Sequence, residues 1–237
     1  MNPLLQHEQS LIRGNFTSLF GGFAQQNPSV MVSFNRLLNA HSFDTIIEIG
    51  THTAGLSLLF ALYAHLSRTP AICANSNEPS LFVNQTHHRR PKVFHTYDYV
   101  VRDESVVNTL HLLGARFHRE DTLTDQSVID SIRSLISNPR SGSVLLLCDG
   151  GNKKKELELY GESLKRGDFV MLHDWAYDEA AFDRNRREGI WFSWESRWAD
   201  GTGEGQQFGI KDLCEQYGIQ PVYAEEFDKV AWFCGRK

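Results

Sequence analysis

Short apolar runs alternate with amphipathic segments along much of the chain. Five short runs, most of them rich in β-branched and aliphatic residues, are each long enough for one buried strand, and between them apolar residues recur every three or four positions. These patterns predict strands buried on both faces and helices that pack against them. The predicted strands are 45–49, 93–97, 115–119, 143–148 and 169–172, and the predicted helices between them are 54–66, 104–113, 126–137 and 153–164. Strands that alternate with helices predict a parallel sheet with right-handed crossovers.

The two ends of the chain depart from this alternation. Residues 1–40 are polar with helical segments, and we expect them to form an N-terminal helical cap. Near the other end, apolar runs at 219–224 and 229–234 are close enough for an antiparallel hairpin, joined by an acidic turn. The predicted fold is therefore α/β: a Rossmann-like, mostly parallel seven-stranded sheet with a C-terminal antiparallel hairpin and helices on both faces. Its main domain would span 41–237.

Two segments of this domain read as insertions. Residues 67–91 are rich in Asn, Ser, Pro and His with weak periodicity, and we expect them to cover one edge of a site. Residues 177–207 form an unusually long connection with tryptophans at Trp191, Trp194 and Trp198. Spacings of three and four put these indoles on one helical face. The stripe either packs into the core or stacks on a sugar or aromatic ring, and both interpretations stay open.

Composition narrows the class of protein. A chain of 237 residues with 41% hydrophobic residues can bury one substantial core, and its formal charge of -5 without a long basic stripe argues against nucleic acid. No apolar run reaches the roughly 18 residues of a membrane span, and the start of the chain lacks a signal core. We therefore expect a cytoplasmic protein without a membrane partner, and a homo-oligomer stays open. The cysteines lack metal-type spacing and are expected to be reduced, buried thiols: Cys73, Cys148, Cys214 and Cys234.

The stretch DTIIEIGTHTAGLSL, residues 44–58, has the pattern of a ligand-binding turn. A strand that stops at Gly50 and continues as a helix near Ala54 leaves backbone N–H groups and a positive helix end facing the crevice. Glu48 adds a carboxylate. A dinucleotide site requires a second glycine two residues after the first, where a pyrophosphate approaches, but His52 stands there. The loop therefore favours a ligand without phosphate over a nicotinamide cofactor.

Further polar residues follow the other predicted strands. Asp98 comes after the second strand, where an acid can accept hydrogen bonds from both ribose hydroxyls, although a surface turn is the alternative. Asp149 follows the fourth strand, and His173 and Asp174 follow the fifth. If these strands are neighbours, two carboxylates converge, and they repel unless a proton or cation lies between them. Lys153 could steady an oxyanion there or face water.

The order of elements over residues 43–237 resembles class I S-adenosylmethionine-dependent methyltransferases. Residues 27–60, an apolar helix and a strand that ends in Gly50, Thr51, His52 and Gly55, resemble the cephalosporin hydroxylase and rhamnosyl O-methyltransferase family. The resemblance implies S-adenosylmethionine as cofactor, with its methionine end on the 48–55 loop. The residues that it implies for cofactor binding are Glu48, Gly50, Thr51, His52, Gly55, Asp98, Glu120, Asp121 and Asp149, of which Glu120 and Asp121 would hold the adenine. A helix cap is the alternative for Asp121.

The same resemblance implies O-methylation of a small hydroxylated acceptor, such as a sugar. In metal-dependent members, acids at the positions of Asp149 and Asp174 bind Mg²⁺, which would lower the pKa of the acceptor hydroxyl. His173 departs from this pattern, since the branch usually carries an acid there and imidazole is a poor ligand for Mg²⁺. His173 could instead act as general base. The alternatives are an NAD(P)-dependent oxidoreductase and a non-catalytic, nucleoside-binding member of the fold.

Overall fold

One mixed sheet organises the described part of the chain. The computed structural model describes residues 17–19, 22–24, 29–52, 54–67, 92–100, 103–176, 178–188 and 210–237. The strands are β1 (Thr17–Leu19), β2 (Gly22–Ala24), β3 (Thr45–Ile49), β4 (Val93–Tyr97), β5 (Arg116–His118), β6 (Val144–Cys148), β7 (Phe169–His173), β8 (Gln220–Pro221) and β9 (Trp232–Arg236). The helices are α1 (Ser29–Ala40), α2 (Gly55–Leu66), α3 (Glu104–Leu112), α4 (Gln126–Ser137), α5 (Lys153–Tyr160), α6 (Glu179–Arg187), α7 (Ile210–Tyr217) and α8 (Ala224–Asp228).

The sheet has seven strands in the order β5-β4-β3-β6-β7-β9-β8. Strands β3 to β7 run parallel, and β9 is antiparallel to both β7 and β8. The predicted Rossmann-like sheet with a terminal antiparallel pair is confirmed. The chain adds β4 and β5 on one side of β3 and then returns to place β6 on the other side. Ligands of such sheets bind at this reversal, outside the carboxyl ends of the strands, here those of β3 and β6.

Helices cover both faces of the sheet, as predicted. Side chains alternate along each strand, so Ile46 packs into one core cluster and Ile47 into the other. The first cluster contains apolar residues of α1, α2, α3 and α8. The second contains those of α4, α5 and α7. Glu48 shares the strand face of Ile46, and its side chain therefore points beneath α2.

The terminal hairpin is shorter than predicted. β8 has only two residues, and the segment expected as an acidic turn forms α8, in which Phe227 is buried against the ring of Phe34. Pro221 lies in the edge strand, where a missing N–H is tolerated. A contact between residues so far apart in sequence is invisible to local pattern, and it explains why the turn is helical.

The described part of residues 1–40 holds a short hairpin as well as a helix. β1 and β2 pair antiparallel, so the segment expected as a helical cap also contains strand structure before α1. The domain boundary at residue 40 stays a prediction. Both predicted insertions lie largely outside the described residues, and so does the Trp191, Trp194 and Trp198 stripe.

The described cysteines pack in the core and are not placed for catalysis. Cys148, Cys214 and Cys234 are buried and free. Burial raises the pKa of Cys148 well above its usual value and that of Cys214 to about 12, so neither thiol is a ready nucleophile. Cys73 lies outside the described residues. None of the helices in these residues has the length and apolar character that crossing a membrane requires.

Candidate functional site

The loop after β3 lies directly against the loop after β6. Gly50 has a left-handed backbone, with φ of 93°, and a Cβ at this position would lie 2.4 Å from the carbonyl oxygen of Asp149. The backbone N–H of Gly50 donates to the backbone carbonyl oxygen of Tyr97 at 2.9 Å. The backbone N–H of Asp149 donates to the carbonyl oxygen of Ile49 at 2.9 Å. Only glycine fits here. The loop that was predicted to hold a ligand and the acid that was predicted to do chemistry therefore form one crevice.

Helix α2 begins without a side-chain cap. Its N-cap residue is Ala54, with φ of 60° and no side-chain capping hydrogen bond, and Gly55 is the first helical residue. His52 is exposed and also left-handed, with φ of 47°. An uncapped first turn leaves its N–H groups and the positive end of the helix to a ligand. Two non-glycine residues in strained backbone before this turn are typical of a functional loop.

Asp98 joins the loops after β3 and β4. Its carboxylate accepts hydrogen bonds from the backbone N–H of His52, at 2.8 Å, and of Val100, at 3.0 Å. The side chain is partly exposed at the carboxyl end of β4. A carboxylate has about four lone-pair sites, so it can accept further donors such as ribose hydroxyls. The position predicted for the ribose acid is thus tied to the glycine loop.

Glu48 lies underneath the crevice rather than along its wall. Its side chain is 1% exposed, and its Oε2 accepts hydrogen bonds from Ser57 Oγ at 2.5 Å and Thr96 Oγ1 at 2.6 Å. Thr51 extends the cluster, because its Oγ1 lies 2.6 Å from Thr96 Oγ1. Burial raises the pKa of Glu48 to about 8; the two hydroxyl groups oppose this shift, and the charges of Asp149 and Asp98 add to it. Its direct contact with a ligand stays a prediction.

The two acids after β5 take different places. Glu120 is exposed, and its backbone N–H donates to the backbone carbonyl oxygen of Asp98 at 3.2 Å. Asp121 accepts hydrogen bonds from the N–H of Leu123 and from the N–H and hydroxyl of Thr124, which lower its pKa. It shapes the turn before α4, whose N-cap is Asp125 rather than Asp121. The adenine contact predicted for this pair stays a prediction.

Four ionisable side chains form a continuous chain at the ends of β6 and β7. His173 Nδ1 lies 2.7 Å from Asp149 Oδ1 and 3.6 Å from Asp174 Oδ1. Lys153 Nζ donates to Asp174 Oδ2 at 2.8 Å. Their side chains are between 4% and 16% exposed. The four residues predicted to carry chemistry are therefore brought together, and Asp174 is held with a left-handed φ of 56°.

The charges in this chain stabilise one another. Burial alone would lower the pKa values of His173 and Lys153, but the neighbouring carboxylates outweigh burial and raise both. Burial would raise the pKa of Asp174, but His173 and Lys153 outweigh it and lower that pKa. The Lys153 ammonium and the Asp174 carboxylate thus stabilise each other as ions, and the imidazole of His173 lies between the two carboxylates.

Sequence reasoning did not find three residues that complete the site. Glu156 is fully buried and accepts from the N–H groups of Gly150, at 3.4 Å, and Asn152, at 3.2 Å, so it supports the loop after β6. Burial raises its pKa to about 7. The ring of Trp232 lies 4.8 Å from the ring of His173. Thr96 pairs in register with Glu48. Glu156 could have been found from its place in the first turn of the helix that follows Asn152. Trp232 and Thr96 can be found only from the strand pairing.

The donor set does not fit the Mg²⁺ that was predicted at Asp149 and Asp174. The carboxylates do converge, but His173 lies against Asp149 and Lys153 lies against Asp174. Mg²⁺ prefers oxygen ligands, and a lysine ammonium has no lone pair to offer. Among the described residues, no group of three or more His, Cys, Asp or Glu side chains is placed to hold a metal ion. The Lys153 ammonium faces Asp174, and the imidazole of His173 faces Asp149.

Comparison with known proteins identifies the fold. No protein-family model and no curated protein matches the chain. Among solved structures, it is similar to a protein assigned as a caffeoyl-CoA O-methyltransferase from Staphylococcus aureus, with a TM-score of 0.53 and 15% identity over 99% of this chain and 91% of that one. It is also similar to the apo structure of CmcI, with a TM-score of 0.51 and 12% identity over 93% and 76% of the two chains. The predicted class I methyltransferase fold is confirmed.

The buried Glu48 makes a prediction about stability and pH. An unfolded glutamate titrates near 4.5, whereas Glu48 in the folded protein titrates near 8, so between these values the folded state binds more protons and stability falls as pH rises. Glu48→Gln keeps an acceptor for both hydroxyl groups but cannot ionise. We expect its stability relative to the parent to increase between about pH 5 and about pH 8.

Denaturant unfolding at several pH values measures this difference. The matched control is Glu158→Gln, at a half-exposed position on α5, which should follow the pH profile of the parent. A Glu48→Gln profile parallel to that of the parent would show that Glu48 is ionised in the folded protein.

The close approach at Gly50 makes a second prediction. Gly50→Ala forces a left-handed alanine against the Asp149 backbone, and we expect a loss of at least about 2 kcal/mol in the free energy of unfolding. Gly151→Ala is the matched control, because a Cβ there meets no heavy atom within 4 Å. It should change stability by roughly 0.5 kcal/mol or less. Equal losses in the two variants, measured by denaturant unfolding, would contradict the close approach.

Proposed function

We propose that this protein is an S-adenosylmethionine-dependent O-methyltransferase that acts on a small hydroxylated acceptor. The observation that carries the proposal is the contact between the Gly50 loop and Asp149, because it joins a cofactor-type loop to a histidine and two carboxylates in one crevice. The methyltransferase fold supports the same function. A fold alone does not imply an activity, so the site carries the argument.

The loops after β3, β4 and β5 would hold the cofactor. The methionine end would lie on the uncapped start of α2, with Gly50, Thr51, His52 and Gly55 around it. Asp98 would accept hydrogen bonds from the ribose hydroxyls, and Glu120 and Asp121 border the place for the adenine. The cradle fits, since the start of α2 has no side-chain cap and the partly exposed carboxylate of Asp98 lies beside it. When bound, S-adenosylmethionine supplies an electrophilic methyl group on a sulfonium that is already a good leaving group.

His173 would accept the proton of the acceptor hydroxyl. Asp149 holds Nδ1, which orients the imidazole and increases its basicity, as a carboxylate does in other histidine-based sites. The acceptor oxygen forms a bond to the methyl carbon as the bond from that carbon to sulfur breaks, and the hydroxyl proton moves to Nε2 of His173. Positioning of the acceptor in line contributes most of the rate, because the protein forms no covalent bond.

His52 speaks against the nicotinamide alternative. Its side chain stands at the place where a dinucleotide site needs glycine for the approach of a pyrophosphate. A non-catalytic protein would not need the buried ionisable groups after β6 and β7. Burying such groups lowers the stability of the fold, because they lose their hydration. Neither alternative explains the site as completely as methyl transfer does.

The proposal includes the surroundings of the protein. A formal charge of -5 and the three buried, free cysteines among the described residues support a cytoplasmic protein without a nucleic-acid partner. A sugar is one acceptor of suitable chemistry. Assembly into a homo-oligomer is compatible with the proposal and is not required by it.

Calorimetric titration tests the cofactor. We expect saturable binding of S-adenosylhomocysteine and no binding of NAD. Asp98→Asn should weaken S-adenosylhomocysteine roughly tenfold or more, because one charged hydrogen-bond acceptor is lost. Asp130→Asn, at an exposed position on α4, should leave the affinity unchanged. Saturable NAD binding without a response to S-adenosylhomocysteine would overturn the proposal.

A substitution of His173 tests the base. In His173→Asn the amide nitrogen can take the place of Nδ1 beside Asp149, but no atom takes the place of Nε2. We expect turnover to fall roughly 10²- to 10⁴-fold while the affinity for S-adenosylhomocysteine is retained. The measurement is transfer of a labelled methyl group to the hydroxylated acceptor on which the parent is most active. Turnover at the parent rate would exclude His173 as the base.

A further inference from the structure

We propose that the Lys153 ammonium, as a built-in cation, and the imidazole of His173 take the place of a divalent metal ion between Asp149 and Asp174. The inference rests on the proposed function, because it concerns the site where the acceptor would lose its proton. It states that methyl transfer by this protein needs no metal. Lys153 is then a positioning residue that acts through Asp174.

The orientation of Lys153 is the first argument. Three lysines, Lys153, Lys154 and Lys155, open helix α5, where positive charge opposes the helix dipole. Lys154 and Lys155 point outwards and lie 3.9 Å and 3.7 Å from oxygens of Glu158. Lys153 alone turns inwards, is 3% exposed and contacts Asp174 at 2.8 Å. Burial of an ammonium is costly unless a carboxylate faces it, so the pairing with Asp174 decides the orientation.

The charge balance is the second argument. Two carboxylates without cations would repel one another, which is the situation that draws a divalent ion into such a pair. Here an ammonium lies on one carboxylate and an imidazole lies within 3.6 Å of both. A divalent ion bound to Asp174 would lie within a few ångströms of the Lys153 ammonium, with little water to screen the repulsion. The site therefore disfavours the ion that an acidic set at these strand ends would attract.

The third argument is the residue type at position 173. An acid there would give three carboxylates at the ends of two neighbouring strands, and these could share one divalent ion. Histidine replaces one oxygen ligand by a nitrogen that hard cations bind poorly. One lysine and one histidine thus separate this site from a metal-binding one.

The experiment converts the site and measures metal binding directly. In the double variant Lys153→Met and His173→Asp, the ammonium and the imidazole are removed and a third carboxylate is added. We expect the parent not to bind Mn²⁺ and its thermal midpoint not to change with Mn²⁺ alone. The double variant should melt lower without metal, and its midpoint should rise by about 5 °C or more when Mn²⁺ exceeds its Kd about 100-fold. The matched control Lys154→Met should behave as the parent.

The parent protein decides the outcome even if the double variant fails to fold. Electron paramagnetic resonance of free Mn²⁺ measures its binding to the parent, and saturable binding that is lost in Asp149→Asn would overturn the inference. A folded double variant that shows no response to Mn²⁺ would also overturn it.

A second arm separates this inference from the proposed function. S-adenosylhomocysteine should bind the parent equally with Mn²⁺ and with a chelator, and methyl transfer to the parent's acceptor should continue in the chelator. Turnover that stops in the chelator and returns with Mg²⁺ would overturn the metal inference alone. Failure of S-adenosylhomocysteine to bind under either condition would overturn the proposed function. The Mn²⁺ measurements would still decide whether the parent site binds a metal ion.

Discussion

The candidate site depends on the close backbone contact between Gly50 and Asp149. β3 and β6 are parallel neighbours, and their register pairs Ile49 with Cys148, so the next residue of each strand leaves the sheet at the same height. A side chain on Gly50 would force the two loops apart. With glycine, the start of α2 and the charged residues after β6 and β7 border one crevice. The contact thus converts two separate strand ends into a single site.

The carboxylates around this crevice are buried in two different ways. Glu48 Oε2 accepts hydrogen bonds from two hydroxyl groups, which do not neutralise a charge, and burial therefore raises the pKa of this acid to about 8. Asp174 receives Lys153, whose charge lowers its pKa. The first solution keeps an acid protonated beneath the Gly50 loop at neutral pH. The second keeps an ionised pair of Lys153 and Asp174 beside the imidazole of His173, and the difference follows from the partners that each side chain meets.

Local pattern was sufficient for the strands, the helices and their order, because each element has its own periodicity. It was also sufficient to place Asp149, His173 and Asp174 together, since parallel strands end at one edge of a sheet. It could not show that Thr96 faces Glu48, which depends on strand register. It could not show that Lys153 turns inwards, which depends on how α5 packs. Local pattern also could not show that the acidic segment forms helix α8 rather than a turn. That helix packs through the contact of Phe227 with Phe34, which is distant in sequence.

A shared fold does not decide the chemistry, because different residues determine the sheet and the site at its edge. Strand order and alternation need only apolar residues of suitable shape, so a sheet of this order persists at 15% identity. The charges at its carboxyl edge are set by single residues. Two acids after β6 and β7 attract a metal ion or a protein cation according to what stands at positions 153 and 173. Lys153 and His173 stand there, each within hydrogen-bond distance of one carboxylate, and these contacts are the basis on which we propose proton transfer to an imidazole without a bound ion.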